Sequence, residues 1–195
     1  MTDSPLTPEP PAAQSLGRTV VLVGLMGAGK SVIGRRLAQA LGVPFRDADT
    51  EIETASSLTI SEIFAKHGEA HFREGERRVI RRLLNEPPHV LATGGGAFMN
   101  EETRALIAES AVSIWLRAEL PVLMRRVSKR NTRPLLANGD PEGTMRRLME
   151  ERYPIYATAD ITIDTEDGPH EEVVNAIIAE LHARGLIESA KGTEP

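Results

Sequence analysis

The sequence predicts an α/β fold, in which a parallel β-sheet is covered by helices on both faces. Short apolar runs of about four to six residues, rich in Val and Ile, alternate with longer segments of helical periodicity. The chain has 195 residues and a mass of 21.3 kDa, which is the usual size of one domain. Hydrophobic residues make up 41% and charged residues 26%, a composition that can form a core.

The predicted strands are the short apolar runs, and the predicted helices are the segments between them. The strands are expected at Thr19–Val23, Pro44–Asp47, His89–Thr93, Val112–Leu116 and Asp160–Ile163. The helices are expected at Lys30–Leu41, Thr59–Asn85, Glu101–Glu109, Glu119–Ser128, Glu142–Tyr156 and Glu171–Ala183. This alternation favours parallel pairing. In such sheets, ligands bind beyond the carboxyl ends of the strands.

Both ends of the chain are expected to lie outside the folded domain. Residues 1–18 contain Pro5, Pro8, Pro10 and Pro11 among small polar residues and are predicted to form a disordered arm. Residues 19–187 are predicted to form a single domain, and residues 188–195 a flexible tail. No targeting pattern and no apolar run near the roughly 20 residues of a membrane span occur, so we expect a cytoplasmic protein.

Charge and cysteine content exclude several classes of function. Lys and Arg total 23, Asp and Glu total 28, and the formal net charge is −5. The chain therefore lacks the excess positive charge that drives non-specific binding to nucleic acid or to anionic membranes. The sequence contains no cysteine, which excludes disulfide scaffolds, thiolate metal sites and cysteine nucleophiles.

A phosphate-binding loop follows the first predicted strand. The segment Gly24–Ser31 reads GLMGAGKS and matches the pattern G-x-x-x-x-G-K-[ST]. Its glycines let backbone amides approach phosphate oxygens, and the N terminus of the next helix favours negative charge. Lys30 can then reach the β- and γ-phosphates, while the Ser31 hydroxyl can coordinate Mg²⁺. The motif predicts binding of a nucleoside triphosphate and leaves the phosphoryl acceptor open.

Two aspartates at the end of the second predicted strand are candidates for metal binding and proton transfer. Asp47 and Asp49 are two residues apart, so on a strand both side chains would point into the same cleft. One could support the water shell of Mg²⁺, and the other could accept the proton of an attacking hydroxyl. The alternative is an ordinary helix cap, where Asp is common.

Arginines and a glycine run supply further candidates. Arg73, Arg133 and Arg152 carry planar guanidinium groups that can hold a carboxylate through two bonds, although any one of them, taken alone, is more typical of a surface ion pair. The run Gly94–Gly96 either lets backbone amides approach a ligand or forms a flexible turn. The motifs N-K-x-D and L-S-G-G-Q are absent, so neither a GTPase nor a transport ATPase is expected.

In their order along the chain, these motifs resemble those of shikimate kinases. The resemblance covers about residues 19–184 and rests on GLMGAGKS, D-x-D at Asp47 and Asp49, F-R-x-x-E at Phe72, Arg73 and Glu76, T-G-G-G, R-P-L-L and R-x-P-x-Y. It implies the fold of nucleoside monophosphate kinases, with five parallel strands and a lid at about residues 129–140. It also implies transfer of the γ-phosphoryl group of ATP to the 3-hydroxyl of shikimate, in the pathway to chorismate and the aromatic amino acids.

The resemblance further implies a role for each candidate residue. ATP would be bound by Gly27, Ala28, Gly29, Lys30, Ser31, Val32, Arg126, Arg133 and Pro169, with adenine between Arg126 and Pro169. Shikimate would be bound by Asp49, Arg73, Gly94, Gly95, Gly96 and Arg152, of which the arginines would hold its carboxylate. The catalytic residues would be Asp49 as the candidate base, Lys30, and Arg133 in the lid. Ser31 would ligate Mg²⁺ directly and Asp47 through water.

Two alternatives remain open. A kinase of the same fold that acts on gluconate or a nucleotide would share the phosphate-binding loop, but it should not need Asp49 together with Arg73 and Arg152. A nucleotide-binding regulatory module without catalysis is disfavoured by the intact Lys30, Asp47, Asp49 and Arg133. The protein is expected to act as a monomer on ATP and shikimate, without a nucleic-acid or membrane partner.

Overall fold

A parallel sheet in the order β2-β3-β1-β4-β5 forms the centre of the protein. The structure, a computed structural model, describes residues 16–128 and 139–187. The strands are β1 Thr19–Val23, β2 Phe45–Asp47, β3 Val90–Ala92, β4 Ala111–Arg117 and β5 Ile161–Asp164. Every neighbouring pair is parallel. The central strand, β1, is buried along its whole length, as expected for a strand covered on both faces.

Helices connect the strands and cover the sheet. They are α1 Lys30–Leu41, α2 Ala48–Ser56, α3 Ile60–Leu84, α4 Glu101–Ser110, α5 Leu120–Ser128, α6 Pro141–Tyr156 and α7 His170–Ala183, with a short 3₁₀ helix at Ala97–Met99. Helix α1 contacts α7 and β3, while α4 contacts α3 and β4. The predicted α/β fold class is therefore confirmed. Within the described residues, no helix is both long enough and apolar enough to cross a membrane.

The segment of the two aspartates differs from the prediction. Strand β2 ends at Asp47 and α2 begins at Ala48, so Asp47 and Asp49 do not share one face of a strand. Asp47 is the N-cap of α2, and its carboxylate accepts hydrogen bonds from the amides of Asp49 and Thr50 at 3.1 and 3.5 Å. The prediction that both side chains point from one strand into the same cleft was therefore wrong in its geometry. The Asp47 carboxylate accepts hydrogen bonds from amides of the first helical turn, and the extended conformation ends at Asp47.

Helix α3 is shaped by two local signals. Thr59 caps its N terminus in a capping box: the Thr59 hydroxyl accepts from the amide of Glu62, and the Glu62 carboxylate accepts from the amide of Thr59. Gly68 interrupts the helix with φ 79° and ψ 174°, outside the helical region. The helix predicted as continuous over Thr59–Asn85 is therefore kinked at Gly68.

The described residues also change the predicted domain boundary. Leu16 is buried and forms an antiparallel bridge with Ile187, and the amide of Gly17 donates to the carbonyl of Leu186. The guanidinium of Arg18 donates to two backbone carbonyls at the end of α4. Residues 16–18, predicted to be part of the disordered arm, instead pack against the folded domain. Residues 1–15, 188–195 and, within the predicted lid, 129–138 lie outside the described residues.

Candidate active site

A cavity of about 340 Å³ lies beyond the carboxyl ends of β1, β2 and β3. Its lining includes Gly27, Ala28, Gly29, Lys30, Ser31, Val32, Asp47, Asp49, Thr93, Gly95, Arg126, Thr165 and His170. The structure therefore brings the predicted phosphate-binding loop, both aspartates and Arg126 together around one space. Pro169 is the N-cap of α7, next to the lining residue His170. Arg133 lies outside the described residues.

The N terminus of α1 faces this cavity. Helix α1 begins at Lys30 after Gly29, which has a φ of 96° and provides no side chain to cap the first turn. The first-turn amides of α1 and the helix dipole together favour an anion at this end of the helix. The Lys30 ammonium donates to the carbonyls of Gly24 and Leu25 at 2.7 and 3.0 Å, which holds it over the loop.

Ser31 and Asp47 place two bonded oxygen groups in the wall of the cavity. The Ser31 hydroxyl donates to Oδ2 of Asp47 at 2.7 Å. Among the described residues, no group of three or more His, Cys, Asp or Glu could hold a metal by itself. A hydroxyl and a carboxylate beside a phosphate-binding loop fit Mg²⁺, which binds few protein oxygens and completes its shell with phosphates and water.

The glycine loop after β3 touches the predicted acceptor-binding residues. A Cβ atom on Gly94 would stand 2.8 Å from Oε1 of Glu76 and 2.9 Å from Oδ1 of Asp49. A Cβ atom on Gly96 would stand 2.6 Å from both terminal nitrogens of Arg73. Only glycine allows such an approach without displacing these side chains. The loop thus brings together one side chain from α2 and two from α3.

Arg152 reaches the same loop from α6. Its Nη1 donates to the carbonyl of Gly95 at 3.1 Å. A Cβ atom on Gly95 would lie 3.6 Å from that nitrogen, 3.6 Å from the carbonyl oxygen of Gly24 and 3.7 Å from the amide of Met26. Gly95 therefore lies between the Arg152 guanidinium and the start of the phosphate-binding loop.

Glu76 is a buried carboxylate that the sequence analysis did not place in the site. It is 2% exposed, and its Oε2 accepts from Nη1 of Arg73 at 2.8 Å. Burial raises the pKa of Glu76, and the nearby Asp49 adds to the rise, while Arg73 and Arg152 oppose it. Within the described residues its Oε1 has no hydrogen-bond partner. The i,i+3 spacing of F-R-x-x-E was the available signal, because it puts Arg73 and Glu76 on one helix face.

Glu76 and Glu69 hold the Arg73 guanidinium in place from one side. Arg73 donates to Oε1 of Glu69 at 3.3 and 3.4 Å in addition to its bond to Glu76. Burial lowers the pKa of Arg73, but the bonds to Glu76 and Glu69 outweigh this effect, so the pKa is raised overall. Arg73 is thus a fixed positive charge at the edge of the glycine loop.

Arg126 is a half-buried cation on the nucleotide side of the cavity. It donates to Oγ1 of Thr165 at 3.2 Å, to the carbonyl of Gly27 at 3.4 Å and to the carbonyl of Glu166. Burial lowers its pKa, which Asp167 opposes. Thr165 and His170 line the cavity although the sequence analysis did not select them. Neither belongs to a recognisable motif.

A second cavity of about 500 Å³ lies between α2 and α3. Most of its wall is apolar and includes Ile52, Leu58, Ile63, Phe72 and Val79. It contains neither the phosphate-binding loop nor the aspartate pair. The first cavity is therefore the candidate active site.

Comparison with known proteins points to one family. The model of the shikimate kinase family matches residues 26–182. The shikimate kinase of Rhodopseudomonas palustris is 62% identical over 165 residues, covering 85% of this chain and 81% of its own length. The shikimate kinase of Bradyrhizobium diazoefficiens is 58% identical over 185 residues, covering 94% and 89%.

Solved structures give the same result. The structure of a shikimate kinase from Acinetobacter baumannii in complex with shikimate superposes with a TM-score of 0.82 at 36% identity, covering 86% of this chain and 94% of that chain. A gluconokinase from Sinorhizobium meliloti has a TM-score of 0.60 at 19% identity, covering 87% and 94%, and so shares the fold alone.

Proposed function

This chain belongs to the shikimate kinase family, and from that premise we propose how its residues carry out the ATP-dependent phosphorylation of shikimate at the 3-hydroxyl. One observation carries the proposal. Asp49, Arg73 and Arg152 come from three different helices and converge on the Gly94–Gly96 loop, beside a phosphate-binding loop. Two guanidinium groups can bind the carboxylate of a ring acid, and the Asp49 carboxylate can accept hydrogen bonds from its hydroxyls. Together with the adjacent nucleotide site, they fit a hydroxylated ring acid as the phosphoryl acceptor.

Shikimate binding divides between two kinds of side chain. The guanidinium groups of Arg73 and Arg152 bind the carboxylate of shikimate, and Asp49 accepts hydrogen bonds from its ring hydroxyls. The bonds from Arg73 to Glu76 and Glu69 restrict the orientation of its guanidinium. Less freedom is then lost on binding, and the reacting hydroxyl is held towards the nucleotide.

The nucleotide occupies the other end of the cavity. The first-turn amides of α1 and the Lys30 ammonium bind the β- and γ-phosphates, while Arg126 and Pro169 enclose the adenine. Ser31 directly, and Asp47 through water, would hold Mg²⁺, which neutralises charge on the phosphates when it is bound.

Transfer itself depends mainly on position and charge. A bond forms between the 3-oxygen of shikimate and the γ-phosphorus, the bond from that phosphorus to the β,γ-bridging oxygen breaks, and the hydroxyl proton passes to the Asp49 carboxylate. Lys30 and Arg133 offset the negative charge that moves to the leaving diphosphate. The family resemblance implies a lid at about residues 129–140, which would exclude water and limit hydrolysis of ATP.

We also propose a monomeric, cytoplasmic enzyme with residues 16–187 as its single domain. The described residues that we place at the two substrates, such as Lys30, Asp49 and Arg152, can all be supplied by a single copy of the chain. The reaction consumes ATP, the phosphoryl donor of the cytoplasm. The net charge of −5 gives no reason to expect a nucleic-acid or anionic membrane partner.

A coupled assay of ADP release tests the proposed function. The purified protein is given ATP and Mg²⁺ with shikimate, gluconate, AMP or no acceptor, and each reaction is repeated with EDTA. We expect saturable turnover with shikimate alone and its loss with EDTA. Turnover with gluconate or AMP would contradict the assigned acceptor, and nucleotide binding without any turnover would indicate a regulatory module. Turnover that survives EDTA would contradict the role of Mg²⁺.

A further inference from the structure

One backbone carbonyl accepts hydrogen bonds from two side chains of α6. The hydroxyl of Tyr156 donates to the carbonyl of Gly95, and Nη1 of Arg152 donates to the same oxygen. The two residues are four positions apart in α6, so their side chains project from the same helix face. A carbonyl oxygen has two lone pairs, so these two donors together satisfy it.

The peptide that receives these bonds lies at the junction of the two binding regions. The Cβ position of Gly95 is 3.6 Å from Nη1 of Arg152 and 3.6 Å from the carbonyl oxygen of Gly24 in the phosphate-binding loop. A rotation of the Gly95 carbonyl would therefore change the direction of the Arg152 guanidinium. It would also change the distance between Gly95 and the phosphate-binding loop. A side chain that fixes this carbonyl therefore also fixes how the site of the phosphoryl acceptor is placed relative to the phosphate-binding loop.

Tyr156 is held rigidly enough to do this. It is fully buried, and its ring packs against the rings of Trp115, Tyr153 and Phe98 at centroid distances of 6.0, 6.4 and 6.4 Å. Burial raises its pKa to about 12, although Arg152 opposes the rise. The hydroxyl therefore keeps its proton near neutral pH and remains a donor.

We propose that Tyr156 is a positioning residue of the phosphoryl transfer, which fixes the Gly95 carbonyl and through it directs Arg152 towards the carboxylate of the acceptor. The inference deepens the proposed function and rests on the role that it gives to Arg152. It assigns a role to the last tyrosine of the R-x-P-x-Y segment, which spacing alone does not explain.

The substitution Tyr156→Phe tests this role, with Tyr153→Phe as its matched control. Tyr153 belongs to the same helix, and its hydroxyl also donates to a backbone carbonyl, that of Ala118 after β4. Each substitution removes one hydroxyl and keeps the ring, so the aromatic packing and the fold persist. We expect Tyr156→Phe to raise the KM for shikimate about five- to tenfold, the effect of one neutral hydrogen bond, with the KM for ATP within about twofold of wild type. Tyr153→Phe should leave both KM values within about twofold.

A double-variant cycle separates positioning from general stability. If Tyr156 acts through Arg152, Tyr156→Phe should change the KM for shikimate less than about twofold in an Arg152→Lys background. An equal effect in both backgrounds would overturn the inference, as would equal rises in both KM values accompanied by a lower melting temperature. Kinetics are measured at a temperature at which circular dichroism shows every variant folded. Wild-type protein without shikimate turnover would instead overturn the proposed function, and this inference with it.

Discussion

The Ser31 hydroxyl donates a hydrogen bond of 2.7 Å to Oδ2 of Asp47, joining the first turn of α1 to the end of β2. The other carboxylate oxygen, Oδ1, accepts from the amides of Asp49 and Thr50 at the start of α2. One side chain therefore has two separable roles. It presents an oxygen beside the phosphate-binding loop, and it caps the helix whose first turn carries Asp49.

Two substitutions of Asp47 separate these roles. Serine is a good N-cap and alanine is a poor one, so Asp47→Ala should be less stable than Asp47→Ser by about 1 kcal/mol in urea unfolding. Both variants lack the carboxylate, and both should need a higher Mg²⁺ concentration for half-maximal activity. Equal stability of the two variants would contradict the capping role, and an unchanged Mg²⁺ requirement would contradict the metal role.

Asp49→Asn should separate nucleotide binding from chemistry. The amide keeps the size of the side chain but cannot accept the hydroxyl proton, so kcat should fall about 10²- to 10⁴-fold. The Kd for ATP, measured by calorimetry, should stay within about twofold of wild type. Glu51→Gln is the control, because Glu51 lies on the same helix and pairs with Arg82. Unchanged turnover in Asp49→Asn would remove Asp49 as the base.

The sequence predicted β1, the phosphate-binding loop and α1 correctly, but it did not predict α2, the helix that follows β2. The phosphate-binding loop and the bounds of β1 and α1 follow from a specific motif and clear apolar runs, and both elements begin and end where predicted. Helix α2 was missed because only Ala48 and Ile52 are buried within it, too few to show a helical period. The start of α2 depends on the hydrogen bonds that the Asp47 carboxylate accepts from the amides of Asp49 and Thr50.

Contacts between distant segments could not be predicted from spacing. The close approach of Gly94 to both Asp49 and Glu76 joins residues of a strand end, α2 and α3, and no periodicity in the sequence encodes it. Arg126 was selected only through the family resemblance, and its bonds to Thr165 and to the carbonyl of Glu166 depend on how α5 packs near the end of β5. The role of Arg126 at adenine stays a prediction.

Gly96→Ala should weaken acceptor binding by displacing Arg73. The new methyl group would stand 2.6 Å from the guanidinium nitrogens, so the Arg73 side chain must shift from its present position. We expect the KM for shikimate to rise at least about tenfold, because charge-assisted hydrogen bonds are worth about 1.5–3 kcal/mol. Gly75→Ala is the control: it lies in α3, its Cβ meets no atom within 4 Å, and it should leave the KM unchanged. A normal KM in Gly96→Ala would contradict the contact.

Glu76 should make stability depend on pH in a defined direction. Burial raises its pKa above the ordinary 4.5, so the folded chain binds this proton more tightly than the unfolded chain does. The resulting stabilisation is complete below the pKa of the unfolded chain and is lost as pH rises through the folded pKa. Glu76→Gln cannot ionise and lacks this dependence. The unfolding free energy of wild type minus that of Glu76→Gln should therefore decrease between about pH 4 and pH 7. A constant or increasing difference would show that the folded pKa is not raised.

Arg73→Lys should impair shikimate binding selectively, although the charge is kept. An ammonium group has no planar set of donors, so it cannot bond Glu76 and Glu69 and still present two parallel N–H groups to a carboxylate. The KM for shikimate should rise about tenfold, while the KM for ATP changes less than about twofold. Arg77→Lys is the matched control, since Arg77 lies in the same helix and pairs with Glu102 at 2.6 Å. Steady-state kinetics with each substrate varied in turn give the two KM values. Equal changes in both would mean that Arg73 supports the fold of the cavity and does not bind the acceptor.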